Sequence, residues 1–351
     1  MHRRQLHERA SSPPARYLCC SQWSPVSKSA PEAYRAAKRP PAQLPQEQEQ
    51  ARAQTGERRM FKDFEAQTFR LAKWIQIHGV VGGSGPPVLL LHGFPQTHVC
   101  WHKVAPELAS RFTVVATDLR GYGASSKPEG GGNHINYSKR SMALDQVEVM
   151  RRLGFNRFRI VGHDRGGRVA HRLALDHPEA VERLVVLDVA PTATMYAGTN
   201  HSFAEAYYHW FFLIQPFDLP ERLIGANAEY FLRWTLNAWC KVDGAITEEA
   251  LAAYLRAFQS PGAIHAACED YRAAATIDLE HDTADERAGR RLLMPLLALW
   301  GARGTVAREF DIWQAWRDKS ASQVSGEDLY CGHFLPGEAP EETLTQLLHF
   351  L

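Results

Sequence analysis

The feature that most constrains this chain is a rhythm. From Met60 onward short apolar runs alternate with helical periodicity, and residues 73–81, 87–91, 112–117, 157–161, 184–187 and 296–300 read as strands. Several of these runs are apolar throughout. Strands of that kind need cover on both sides, so the rhythm specifies the α/β class: a mostly parallel sheet with helices on both faces. A connecting helix is expected over 138–153, where Met142, Leu144, Val147, Met150 and Leu153 recur at three- and four-residue steps. After Asp188 the strand rhythm stops for about a hundred residues of aromatic-rich helical sequence and resumes at Leu296. The interruption reads as an inserted helical cap. The expected organisation is therefore a core in two parts, 60–192 and 289–351, with a cap over 193–288. A cap above the carboxyl ends of parallel strands encloses the place where open α/β sheets bind ligands.

Composition supplies exclusions. Apolar residues at 45% and charged residues at 23% rule out a wholly disordered, collagen-like or coiled-coil chain. No stretch approaches the ~18 uninterrupted apolar residues of a membrane span. Lys+Arg number 40 against 39 Asp+Glu, a balance that argues against nucleic acid or anionic membranes as partners and for small molecules. The charge is unevenly spread. Residues 1–59 hold 11 Lys+Arg against 5 Asp+Glu and seven of the 20 prolines, without apolar periodicity. They read as a disordered tail with no catalytic role, which leaves the rest mildly acidic. Cys19, Cys20, Cys100, Cys240, Cys268 and Cys331 make neither a C-x-x-C pair nor a secreted disulfide framework, so reduced thiols in a cytoplasmic protein are expected. No metal-ligand cluster, dinucleotide fingerprint or phosphate-binding glycine loop appears, and neither cofactor nor metal is expected.

The chemistry concentrates after the run Phe158-Arg-Ile-Val161, in Gly162-His-Asp-Arg-Gly-Gly167, which leads into a helical stretch to Asp176. A strand turning this sharply into a helix leaves no room for flanking side chains, hence the glycines. It presents Asp164 on strained backbone at a helix N-terminus, where free N–H groups favour the ionised carboxylate. The pattern is similar to the nucleophile elbow of the α/β-hydrolase fold, with Asp as nucleophile. Two further segments stand in the order that fold uses. Leu89-Leu-Leu-His92-Gly-Phe94-Pro95 ends a strand in the form that supplies an oxyanion hole, here the N–H groups of Phe94 and Arg165. His333, in Tyr330-Cys-Gly-His333-Phe-Leu-Pro336, follows the last strand, at the position of the general base. Its acid partner is expected to be Asp188, which terminates a strand, with Glu309 and Asp311 after the next strand as the alternative.

Arg165 and Arg168 stand three apart at the start of one helix, so they can share a face near Asp164. Guanidinium groups bind carboxylates through paired N–H bonds, and two of them beside a nucleophilic Asp make sense if the substrate is itself an anion. The bland reading is that one arginine merely pairs with Asp164 or Asp176.

Taken together, His92-Gly-Phe-Pro-Gln-Thr-His98, Gly162-His-Asp-Arg-Gly-Gly-Arg168, Leu187-Asp-Val-Ala-Pro-Thr192, Tyr208-His-Trp210, Cys268-Glu-Asp-Tyr-Arg272 and Gly332-His-Phe-Leu-Pro336 closely resemble the fluoroacetate (haloacetate) dehalogenases, from about Met60 to Leu351. The resemblance implies that Asp164 is the nucleophile, His333 the base and Asp188 its acid partner. It implies that Arg165 and Arg168 hold the substrate carboxylate and that His209, Trp210 and Tyr271 donate to the departing halide. A haloacetate-like acid and water are then the partners, a 2-hydroxy acid is the product, and a homodimer is in keeping with the family. Without that pattern, Trp210 and Tyr271 would read as cap packing among Tyr207, Tyr208, Phe211 and Phe212.

Two rival readings share these residues. Epoxide hydrolases use the same fold and Asp nucleophile but open an uncharged ring with cap tyrosines as acids, for which Tyr271 with Tyr207 or Tyr254 could serve; an epoxide gives the arginine pair no task. A non-catalytic small-acid-binding member of the fold has no need of Asp164, Asp188 and His333 together.

Overall fold

The computed structural model describes residues 59–351, Lys73 excepted. The expected tail therefore lies almost wholly outside the described residues. The strands are β1 (Phe64–Ala72), β2 (Ile75–Gly82), β3 (Pro87–Leu91), β4 (Thr113–Thr117), β5 (Phe158–His163), β6 (Val181–Leu187), β7 (Leu296–Gly301) and β8 (Val324–Leu329). They form one sheet in the order β1-β2-β4-β3-β5-β6-β7-β8. β1, β2 and β4 pair antiparallel and every other pair is parallel. Each strand anticipated from an apolar run is present. β3, β5, β6 and β7 are central and buried on both sides, which is why their sequences carry no polar alternation. The edges read differently: β8, Val-Ser-Gly-Glu-Asp-Leu, is half exposed, and β1 is an outer hairpin partner. Neither announces itself by hydrophobicity.

Helix α1 (Lys139–Arg152) is capped by Ser138, whose Oγ accepts from the Ser141 N–H at 3.1 Å. It buries Met142, Ala143, Gln146, Val149 and Met150, whereas Leu144 is 51% exposed. Leu144 is a correction to the apolar face read from spacing. Two residues from Met142 it points about 200° away, and the polar Gln146 takes the inward place by accepting from Thr117 at 2.8 Å. Helix α2 (Arg165–Asp176) leaves the end of β5 and is buried along most of its length.

Between β6 and β7 the chain makes eight helices, from Thr192–Ala197 to α4 (Ile277–Arg287), with α3 (Ala263–Ala275) next to last. Their aromatic rings lie over the loop after β3: Phe94 stacks with His209 at 6.3 Å between centroids and meets Tyr271 edge-on at 5.4 Å. Sheet and helical insertion share one compact unit. Among the described residues no helix is long and apolar enough to cross a membrane.

Candidate active site

β5 continues past its apolar run and carries Gly162 and His163 into the turn. Asp164 there has φ 48° and ψ −112°, a conformation that a residue with a Cβ holds only when its surroundings impose it. The surroundings are close backbone. A Cβ on Gly166 would strike the carbonyl oxygens of Leu91 and His92, and one on Gly93 would strike the side chain of Asp164 itself. Glycine at these positions lets the end of β3 touch the elbow, and the contact delivers the Phe94 N–H to Asp164 Oδ1 at 2.9 Å. The N–H of Arg165, first residue of α2, has no acceptor within its helix. Burial alone would raise the Asp164 pKa, but His333, His163, Arg165 and Arg168 outweigh it and hold the carboxyl below its ordinary value.

His333 lies in the loop after β8. That loop is shaped by Glu338, which accepts from the N–H groups of Gly332 at 2.9 Å and Phe334 at 2.8 Å. The Nδ1 of His333 meets Asp188 Oδ2 at 2.6 Å, and Asp188 Oδ1 accepts from the Gly301 N–H at 3.0 Å. Nε2 of His333 is buried without a protein partner. Burial opposes a positive imidazole, yet the hydrogen bond and charge of Asp188, with the charge of Asp164, raise its pKa above the ordinary histidine value. Of the two open choices for the acid, the structure brings Asp188 to His333. Glu309 is engaged by Ser202 and Arg308, and Asp311 caps the helix Ile312–Arg317.

Both arginines are buried beside Asp164, and their protein partners differ. Arg165 gives Nε and Nη2 to the Asp270 carboxylate at 2.8 and 2.9 Å, leaving Nη1 without a protein partner. Arg168 gives Nη1 to Thr192 Oγ1 at 2.9 Å and Ala190 O at 3.2 Å, leaving Nε unpartnered. Asp176 is taken by Arg140 and Arg172, away from this pair. The guanidinium carbons sit over aromatic faces, Arg165 on Tyr271 at 4.2 Å and Arg168 on Trp210 at 4.7 Å. His209 Nδ1 and Trp210 Nε1 are also buried without partners. Burial lowers the His209 pKa to about 3, so its ring is neutral. Burial raises the pKa values of Tyr207 and Tyr271, and nearby carboxylates raise them further, Asp188 and then Asp164 for Tyr207 and Asp164 for Tyr271. Tyr254 instead accepts from Gln96 at 3.3 Å.

Several neighbours escaped sequence reasoning. Trp239 packs against His209 at 4.5 Å and His333 at 5.3 Å between ring centroids. His163 Nε2 bonds the His333 carbonyl at 2.8 Å. Asp270 was inside a quoted motif without a role; Lys139, Tyr122 and Glu338 carried no signal, because their importance lies in contacts across the fold. Among the described residues one group with metal-ligand donors occurs, His78, His98 and Asp118. Asp118 already accepts from the His98 N–H and ring and from Ala124, so its oxygens serve the loop rather than an open site.

Residues 86–340 match the family model described as alpha/beta hydrolase fold. Over 294 residues, 83% of this chain and 95% of the relative, the sequence is 46% identical to a fluoroacetate dehalogenase of Burkholderia sp. It is 35% identical over 279 residues to a soluble epoxide hydrolase of Corynebacterium sp. (strain C12), covering 78% and 93% of the two chains. Among solved structures, a candidate α/β hydrolase from Nostoc sp PCC 7120 superposes with a TM-score of 0.80 at 58% identity, covering 82% of this chain and 98% of that one.

Proposed function

Because this chain belongs to the α/β-hydrolase fold family, and within it to the haloacetate dehalogenases, we propose that it hydrolyses the carbon–halogen bond of a short 2-haloacid through an ester on Asp164. One observation carries the reading: buried cationic N–H donors from Arg165 and Arg168, unpartnered within the protein, stand beside an ionised nucleophile. A carboxylate substrate satisfies those donors, and without one their desolvation is uncompensated.

In the first step the free oxygen of Asp164 attacks the halogen-bearing carbon. The C–X electron pair leaves as halide, toward the Nε1–H of Trp210, the ring of His209 and the hydroxyl of Tyr271. Oδ1, already bonded to the Phe94 N–H, becomes the ester carbonyl oxygen. In the second step His333, held by Asp188, takes a proton from water. The hydroxide adds to the ester carbon, and the charge forming on Oδ1 is stabilised by the N–H groups of Phe94 and Arg165. Collapse releases the 2-hydroxy acid and restores Asp164; the net reaction is haloacid plus water to hydroxy acid, halide and a proton. The chemistry asks for no metal or cofactor. The free Cys100, Cys240, Cys268 and Cys331 suit a cytoplasmic setting.

A second reading has one observation in its favour. Tyr207 and Tyr271 both stand near Asp164, as ring-opening of an epoxide requires, and the Corynebacterium relative is an epoxide hydrolase. The test is halide release from fluoro-, chloro- and bromoacetate, followed by ion-selective electrode, beside diol formation from an epoxide. Halide release without diol formation is expected. Diol formation without halide release establishes the rival, and tight acid binding with neither points to a binding protein.

A further inference from the structure

Asp270 is fully buried one residue before Tyr271 on α3, and three side chains converge on it. Arg165 forms the two-pronged pair described above and adds an Nη2 bond to the Asp270 carbonyl at 2.7 Å. Tyr122 donates its hydroxyl to Oδ2 at 2.6 Å, and the buried Lys139 ammonium bonds Oδ1. Lys139 is in turn held by Asp278 at 3.3 Å, and the Lys139 N–H donates to Asp278 Oδ1 at 2.8 Å. A guanidinium fixed by a fork-on-fork pair cannot rotate about its last bonds without breaking both hydrogen bonds, so the one nitrogen left over is presented in a set direction. For Arg165 that nitrogen is Nη1. The same count on Arg168, held by Thr192, Ala190 and the sulfur of Met195 at 3.1 Å, leaves Nε.

We propose that Asp270 is the positioning residue of the substrate-carboxylate site: it locks Arg165 so that the acid is bridged between Arg165 Nη1 and Arg168 Nε, one nitrogen from each arginine, instead of being gripped by a single guanidinium. This rests on the haloacid reading for its physiological meaning, but the bridging itself is a statement about carboxylate binding. Asp270 touches no substrate; it acts through Arg165. Tyr271 packs under the guanidinium from the same helix, so α3 fixes the cation from two sides.

The test uses the full chain and acetate as the probe, with binding measured by calorimetry and chloroacetate turnover measured in parallel. In Asp270→Asn, which keeps the shape and removes the charge, acetate affinity should fall by about tenfold or more. The KM for chloroacetate should rise by a similar factor, while kcat stays within about threefold. A merely structural role would lower the active fraction, and so kcat, with acetate affinity and KM unchanged; that outcome overturns the proposal. So does a wild-type protein that does not bind acetate. If Asp270→Asn does not fold, Tyr122→Phe removes one buttress from Asp270 Oδ2 at constant volume and should weaken acetate by roughly threefold in the same direction; unchanged affinity there overturns the proposal equally. Acetate binding that depends on Asp270, in a wild type that releases no halide, sinks the haloacid reading and leaves the positioning role standing.

Discussion

At the scale of single residues, the site works by setting charges against one another inside a buried space. Asp164 stays ionised because four cationic or protonatable neighbours outweigh its burial, and its own charge is one of the reasons His333 is raised above an ordinary histidine. In the proposed reaction, forming the ester removes the charge on Asp164. One of the influences that raise His333 disappears at that moment, so the imidazole becomes easier to keep neutral at the step where it must act as base. The sign of the pH dependence follows. Under the proposed scheme, ester hydrolysis needs neutral His333 and slows as pH falls through its raised pKa, whereas alkylation needs only ionised Asp164, whose pKa is lowered, and persists into more acidic solution. The steady-state fraction of protein carrying a carboxymethyl group on Asp164, read by intact-mass spectrometry during bromoacetate turnover, should therefore rise as the pH falls from neutral. His333→Asn should show the adduct at every pH where Asp164 is ionised. A wild-type adduct that grows with rising pH, or none in His333→Asn, contradicts the scheme. The identities of Asp164, His333 and Asp188 were readable as candidates from chain order and glycine spacing. The hydrogen bond that chooses Asp188 over Glu309 and Asp311 was not, because it joins residues 145 positions apart.

At the scale of elements, the elbow is a joint between three segments: the end of β3, the end of β5 and the start of α2. Its strain at Asp164 is maintained because the backbones touch where glycine removes the side chain. Gly166→Ala would push a methyl group into the carbonyls of Leu91 and His92, and those carbonyls belong to a central strand and the loop that carries Phe94. The expected cost is about 2 kcal/mol or more in urea unfolding, with activity reduced beyond the loss of folded protein because Phe94 N–H and Asp164 part company. A substitution tolerated within about 0.5 kcal/mol, with normal turnover, would show that the joint has slack. The central strands were legible because a strand buried on both faces must be apolar at every position. β8 was placed only as the strand before His333, and β1 went unread. Edge strands meet water on one side, and the sequence signal thins with it. The face of α1 was partly misread at Leu144 for a related reason: a buried Gln146 satisfied by Thr117 can replace an apolar residue, which a count of apolar spacings does not see.

At the scale of the whole molecule, α2 is the link between the sheet and the helical insertion. Its N-terminal Arg165 pairs with Asp270 of α3, and its Arg172 pairs with Asp282 at 2.6 Å and with Asp285 of α4. The residues that surround Asp164 thus come from both parts, and the same helix holds them in register. Arg172→Met should separate the two jobs of that helix. It leaves three carboxylates short of their shared cation, with an expected loss of about 3 kcal/mol in stability. It touches none of the groups around Asp164, so the KM for chloroacetate in the folded fraction should change little. Thermal melting and steady-state kinetics on the same preparation test it; unchanged melting, or a KM shift as large as that expected for Asp270→Asn, would contradict this division of labour.

By itself the sequence determined the α/β class, the order of the central strands along the chain and the position of the helical interruption, and it named candidates for the chemistry. These follow from local rules: periodicity reports burial, and glycine spacing reports where backbone must turn sharply. What only the tertiary structure decided was which charge stands against which. Asp188 meets His333, Asp270 claims most of Arg165 and leaves Arg168 to neutral partners, and Trp239 closes on the histidines. Such pairings join residues far apart in the chain through side chains a few ångströms long, and their energies depend on distance and desolvation, quantities that exist only once the chain has folded.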